Sequence, residues 1–75
     1  PEARARATLS VADCDAALKR WAEAERAYLS VEVLLDCEAL RPVALQRLAA
    51  LYDAMGQTEK ANRTRDELRR RYPGL

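Results

Sequence analysis

Helix breakers are scarce in this chain and stand far apart: its two Gly and three Pro fall at Pro1, Pro42, Gly56, Pro73 and Gly74. Proline suits the first position of a helix and disrupts its interior, and glycine readily takes the left-handed dihedrals that end one. Between these marks the commonest residues are Ala (15), Leu (11) and Arg (11), all strong helix formers. A chain punctuated so sparsely and filled so uniformly is restricted to an all-α fold.

Apolar spacing divides it into four helices. Residues 2–18 carry no Gly, Pro or Asn, and Leu9, Ala12 and Ala16 with Val11 and Leu18 recur at helical intervals. The apolar phase shifts at Lys19-Arg20, and from Trp21 or Ala22 a second stripe runs through Ala24, Ala27, Tyr28, Val31, Leu34 and Leu35 to an end near Cys37. Glu23 and Glu25 lie in its first turn, where the helix dipole favours negative charge. Arg41-Pro42 starts a third helix, striped by Leu45, Leu48, Ala49, Leu51 and Tyr52 and stopped by Gly56. Thr58 is the expected N-cap of the fourth, with Ala61, Thr64, Arg65 and Leu68 on one face and Arg69, Arg70 and Arg71 in the last turn before Tyr72-Pro73-Gly74. Connections of a few residues make successive helices antiparallel neighbours.

Size and chemistry narrow the function. A single domain of 75 residues buries only about 60% of the surface its unfolded chain exposes, so its core is marginal alone. There is no histidine, which excludes imidazole general bases, Ser-His and Cys-His dyads and histidine-containing zinc sites. Cys14 and Cys37 cannot complete a four-cysteine metal site within one chain. Their offset about the first turn is roughly 15 Å along an antiparallel pair at about 1.5 Å per residue, which argues against an intrachain disulfide and leaves an intermolecular one open. Asp13 and Asp15 project about 200° apart on a helix and do not form an acid-base pair. These features predict a protein that is no enzyme and needs no cofactor or metal. The longest apolar run, Val33-Leu34-Leu35, is far short of the roughly 20 residues a spanning helix needs, so membrane insertion is not expected.

Net charge is +1, with seven acids and five bases in residues 1–37 against five acids and eight bases in residues 38–75. Neither half is a nucleic-acid surface by charge, because Asp66 and Glu67 interrupt the run of Arg63, Arg65, Arg69, Arg70 and Arg71. The excess of Arg over Lys, 11 to 2, points to a GC-rich bacterial source, and a start at Pro1 is expected of a piece cut from a longer protein. The compartment stays open.

The two halves repeat one design. A shift of 37 residues lays Lys19-Arg20-Trp21-Ala22-Glu23-Ala24 over Gly56-Gln57-Thr58-Glu59-Lys60-Ala61, each spanning the turn between two helices. In residues 42–75, Leu45, Leu48, Ala49, Tyr52, Gly56, Ala61 and Pro73 resemble the size pattern of the tetratricopeptide repeat, a 34-residue helix-turn-helix family. Residues 5–38 resemble it through Val11, Ala12, Trp21, Ala24 and Tyr28, with Asp15 at the family's Tyr position, Lys19 at its Gly position and three extra residues before Pro42. Arg65 stands where the family has an aromatic, which predicts weaker packing at that corner or room for a following element.

The resemblance implies two stacked helix pairs in one domain over residues 1–75, a fragment of a right-handed α-solenoid. Alanines allow close crossing within each pair, and Trp21, Tyr28 and Tyr52 fill the space beside them; Tyr72 could be buried or free. It implies a concave groove lined by the first helix of each pair: Arg6, Leu9, Ser10 and Asp13, then Val43, Gln46, Arg47, Ala50 and Asp53. Arg47 matches one position of the carboxylate clamp of some members, but Asp13 and Leu9 replace polar and basic clamp residues. The expected ligand is therefore a peptide or helix with apolar anchors and some positive charge. The implied function is protein interaction, with another protein, a further repeat of the parent chain or a second copy as partner. Self-association through the open ends is one alternative, and a regulatory module of a nucleic-acid-binding protein is another. Arg4, Arg6 and the arginine-rich fourth helix are candidate polar covers for those ends.

Overall fold

The computed structural model describes residues 2–34 and 37–74. Four α-helices form it: α1 (Glu2–Ala17), α2 (Trp21–Leu29), α3 (Arg41–Ala54) and α4 (Thr58–Arg71). A π-helical turn, Ser30–Leu34, extends α2, and a 3₁₀ turn, Glu38–Leu40, leads into α3. Among the described residues there is no strand, so the fold is all-α. No described helix is long and apolar enough to cross a membrane.

The two helix-to-helix turns are the same structure built from different residues. In the first, Lys19 N–H donates to Ala16 C=O at 3.0 Å and Arg20 N–H to Asp15 C=O at 2.8 Å. In the second, 37 residues on, Gly56 N–H donates to Asp53 C=O at 3.0 Å and Gln57 N–H to Tyr52 C=O at 2.8 Å. This bond pair is the Schellman arrangement, which needs a left-handed residue just past the helix end. Gly56 supplies it at φ 78°, and Lys19 supplies it at φ 60° despite its β-carbon. Each turn is three residues long and folds the next helix back along the last, so α1 lies against α2 and α3 against α4.

Small residues fill the crossings. Ala12 and Ala24 are fully buried in the first pair, and Ala49 and Ala61 are 2% and 0% exposed in the second. The pairs join through α3, whose Ala44, Leu48 and Leu51 enter one core cluster with Leu9, Ala24, Tyr28 and Val31. Hydroxyls then tie helices together over that core: Tyr28 of α2 donates to Asp13 of α1, and Tyr52 of α3 donates to Glu25 of α2 at 2.6 Å. The end of α4 returns to the middle of the chain. There Arg71 bridges Glu32 at 2.6 Å, and half-buried Tyr72 donates to Glu38 at 3.2 Å.

Several expectations change. Val11 and Leu18, expected on the buried stripe of the first helix, are 57% and 62% exposed, because the buried face is Ala5, Leu9 and Ala12. The second helix changes character on the way to its expected end near Cys37: it widens into a π turn over Ser30–Leu34, and Cys37 is buried outside any helix. Leu35 and the side chain of Leu34, expected on its stripe, lie outside the described residues. Thr58 begins α4 rather than capping it, because the turn puts Gln57 at the N-cap, where it makes no side-chain capping bond. Arg65, standing where an aromatic is expected, reaches Asp53 at 2.7 Å and Asn62 at 3.0 Å. Cys14 is exposed, Cys37 is buried, and both are free thiols.

Candidate functional site: the cleft between α1 and α3

Apolar residues recurring three and four apart place one face of α1 and one of α3 toward the core, and the residues beside those faces border a cleft between the two helices. One end of it is a 280 Å³ cavity lined by Arg6, Leu9 and Ser10 of α1, Leu40, and Val43 and Arg47 of α3. Its apolar lining is Leu9 and Leu40, both buried, with half-buried Val43, while Arg6, Ser10 and Arg47 are exposed. A 310 Å³ cavity continues along the same helices, lined by Ala16, Ala17, Trp21, Tyr28, Arg47, Ala50, Leu51 and Ala54. Four of these eight residues are alanines, which leaves space that larger side chains would fill.

Arg47 belongs to both linings, and its Nη1 donates to Asp13 Oδ2 at 2.7 Å. The other Asp13 oxygen accepts the Tyr28 hydroxyl, so one carboxylate holds α1 to α2 and to α3. Burial, then the hydrogen bond and charge of Asp13, push the Tyr28 hydroxyl well above the usual tyrosine range. Tyr52 is pushed up to about 12 by burial and by its bond to Glu25. These tyrosines stay protonated through the physiological range and act as donors that fix the helices beside the cleft.

Six of the nine residues assigned to the groove are brought together here: Arg6, Leu9, Ser10, Val43 and Arg47 around the first cavity, and Ala50 on the second. Asp13 bridges to Arg47 and lines neither cavity. Gln46 is exposed away from both. Asp53 is turned to α4, where the hydrogen bond from Arg65 holds its carboxyl below the ordinary aspartate value and the partner guanidinium above its own. Asp13 and Asp53, the two acids expected in the groove, are thus both in ion pairs with arginines of the chain. Trp21, by contrast, was assigned to packing alone; it is half-buried against the core and also lines the second cavity. Ala16, Ala17, Ala50 and Ala54, small residues near the ends of α1 and α3, are the available signal for that cavity.

The remaining chemistry is sparse. Among the described residues no three His, Cys, Asp or Glu side chains cluster as metal ligands would. The arginines of α4 are largely engaged: Arg65 with Asp53, Arg69 with Asp66, and Arg71 with Glu32 and Glu67. No family model, curated protein or solved structure matches this chain.

Proposed function

We propose that the chain is a non-enzymatic interaction module of the tetratricopeptide-like kind, holding a peptide or partner helix in the cleft between α1 and α3. The observation behind this reading is the pair of adjacent cavities that share Arg47, each large enough for an apolar side chain and each walled by both helices. The repeated turn and the buried alanines at matching positions support two stacked repeats as the scaffold. The ligand presents two apolar anchors, one to the Leu9-Leu40-Val43 end and one to the alanine-lined end beside Trp21. Bidentate capture of a terminal carboxylate is not expected, because Asp13 occupies Arg47.

Peptides selected from a random displayed library against the chain test this. Arg47→Glu with Ala50→Trp breaks the bridge and fills the second cavity, so it should weaken the selected peptides at least tenfold; unchanged affinity would place the site elsewhere. The repeat scaffold has its own test. Ala61→Trp overpacks the α3-α4 crossing and should cost about 1–3 kcal/mol in denaturant unfolding. Retained stability would count against the scaffold, whatever the peptides do.

A further inference from the structure

The two cavities of the cleft differ in what they offer a ligand. Around the 280 Å³ cavity the polar residues are Arg6, Ser10 and Arg47, and among the described residues none of its lining is aromatic. The 310 Å³ cavity has Trp21 and Tyr28 in its lining, four alanines beside them, and Arg47 as its one charged residue. Its volume lies at the lower end of the range of about 300–1,000 Å³ for small-molecule pockets, which is room for one ring and its attachment. Tyr28 has its hydroxyl bound to Asp13, so what it gives a ligand is its ring. Arg47 is positioned by the same carboxylate through Nη1, a bond that lies in the guanidinium plane and does not occupy its faces. Elsewhere the chain sets a cation over a ring twice: Lys60 lies 5.6 Å from the ring centre of Tyr52, and Arg71 lies 5.6 Å from that of Tyr72. Among the described residues no ring of the chain takes that place over Arg47.

We infer that the 310 Å³ cavity takes an aromatic ring from the partner, stacked on the Arg47 guanidinium beside Trp21. Charge complementarity selects this occupant. The face of an aromatic ring carries the negative part of its quadrupole, which attracts a cation held over it. An aliphatic side chain fills the same space but covers one side of Arg47 with methyl groups that return nothing for the lost hydration. An acidic side chain meets the Asp13 carboxylate, which sits 2.7 Å from that guanidinium, and a basic one meets the guanidinium itself. Trp21, half-buried in the same lining, adds an offset or edge-on aromatic contact. The other cavity lacks an aromatic wall, and for that reason the ring belongs to this end of the cleft.

The ring assignment rests on the cleft as the binding site and names the chemistry of one anchor. N-acetyl-phenylalaninamide and N-acetyl-leucinamide, titrated separately into the 75-residue chain and followed by backbone and indole NMR shifts, test it without a selected peptide. The phenylalanine amide should shift Ala17, Ala50, Ala54 and the Trp21 indole N–H, and should bind at least about threefold tighter than the leucine amide. Arg47→Lys keeps the charge and loses the planar face, so it should abolish that preference. Ala50→Trp puts a ring of the chain's own in the cavity and should abolish binding of both amides. Equal affinity of the two amides overturns the inference, as do shifts that fall outside this cavity or a preference that survives Arg47→Lys. Those results leave the cleft reading standing, because library peptides with Arg47→Glu and Ala50→Trp report on it separately. Unchanged peptide affinity in that experiment removes the cleft and the ring together.

Discussion

Ala7, Val11 and Cys14 of α1 with Leu18 just past its end, and Ala44, Leu48 and Leu51 of α3 with Met55 just past its end, stand 37 residues apart in register, yet the first set faces solvent and the second lies in or against the core. The sets are similarly apolar, so composition does not account for the difference. What differs is the neighbour: α3 has α2 and the π turn beside it, and among the described residues nothing covers that face of α1. The reverse holds on the second helices. Leu29 of α2 and Val33 of the π turn are apolar where α4 has Asp66 and Arg70, and Ala61 is the one buried residue of α4 against Ala24 and Tyr28 in α2. One backbone plan therefore carries two surfaces, apolar on the first pair and charged on the second.

The sharpest way to break this comparison is to truncate the same position in each half. Leu48→Ala removes a buried side chain from the joint between the pairs and should cost about 2–5 kcal/mol in urea unfolding. Val11→Ala, its counterpart on a solvated face, should change stability by no more than about 0.5 kcal/mol. Equal costs would mean that Val11 is covered in solution. The turns give a smaller effect. Lys19 holds a left-handed backbone that disfavours any β-carbon, so Lys19→Gly should stabilise by about 1 kcal/mol, and Gly56→Ala should destabilise by a similar amount. A β-carbon at Gly56 meets no atom within 4 Å, so that cost is backbone strain alone. A thermal shift of the same sign for both variants would show that the turns are not equivalent.

The smallest effect is confined to alkaline solution. The folded state holds the Tyr52 proton up to about 12, whereas the unfolded chain releases it near 10.0. The native state then binds more protons in that window, so stability from the Tyr52–Glu25 bond is complete below pH 10 and is lost as pH rises toward 12. Tyr28 acts in the same direction through Asp13. Tyr52→Phe should lower stability at pH 8 and flatten its decline above pH 10; an alkaline limb as steep as before would remove Tyr52 from the account.

Much of the fold was legible because its signals are local. Pro42 and Gly56 mark the start and stop of α3, and the phase shift at Lys19-Arg20 marks the first turn even though no glycine stands there. The π turn after Leu29 has no such local mark, so the change of helix type within that run is not announced by the sequence. Apolar periodicity could not say which of the two apolar faces of α1 is inside, since that depends on what packs beside it; Val11 and Leu18 were placed inside for that reason. The cleft was legible in its lining, from Arg6 to Ala50, but not in its charge state. Asp13 is claimed by Arg47 from 34 positions away and Asp53 by Arg65 from the next helix, and no spacing rule announces pairings of that kind.

The central claim is that the cleft between α1 and α3 is where a partner sits. Backbone and indole NMR shifts of the chain, titrated with a library-selected peptide, test it most directly. The account predicts that the largest shifts fall on Leu9, Val43, Arg47, Ala50 and the indole N–H of Trp21, with α4 unmoved. Shifts centred on Leu29 and Val33, or on the arginines of α4, would contradict it.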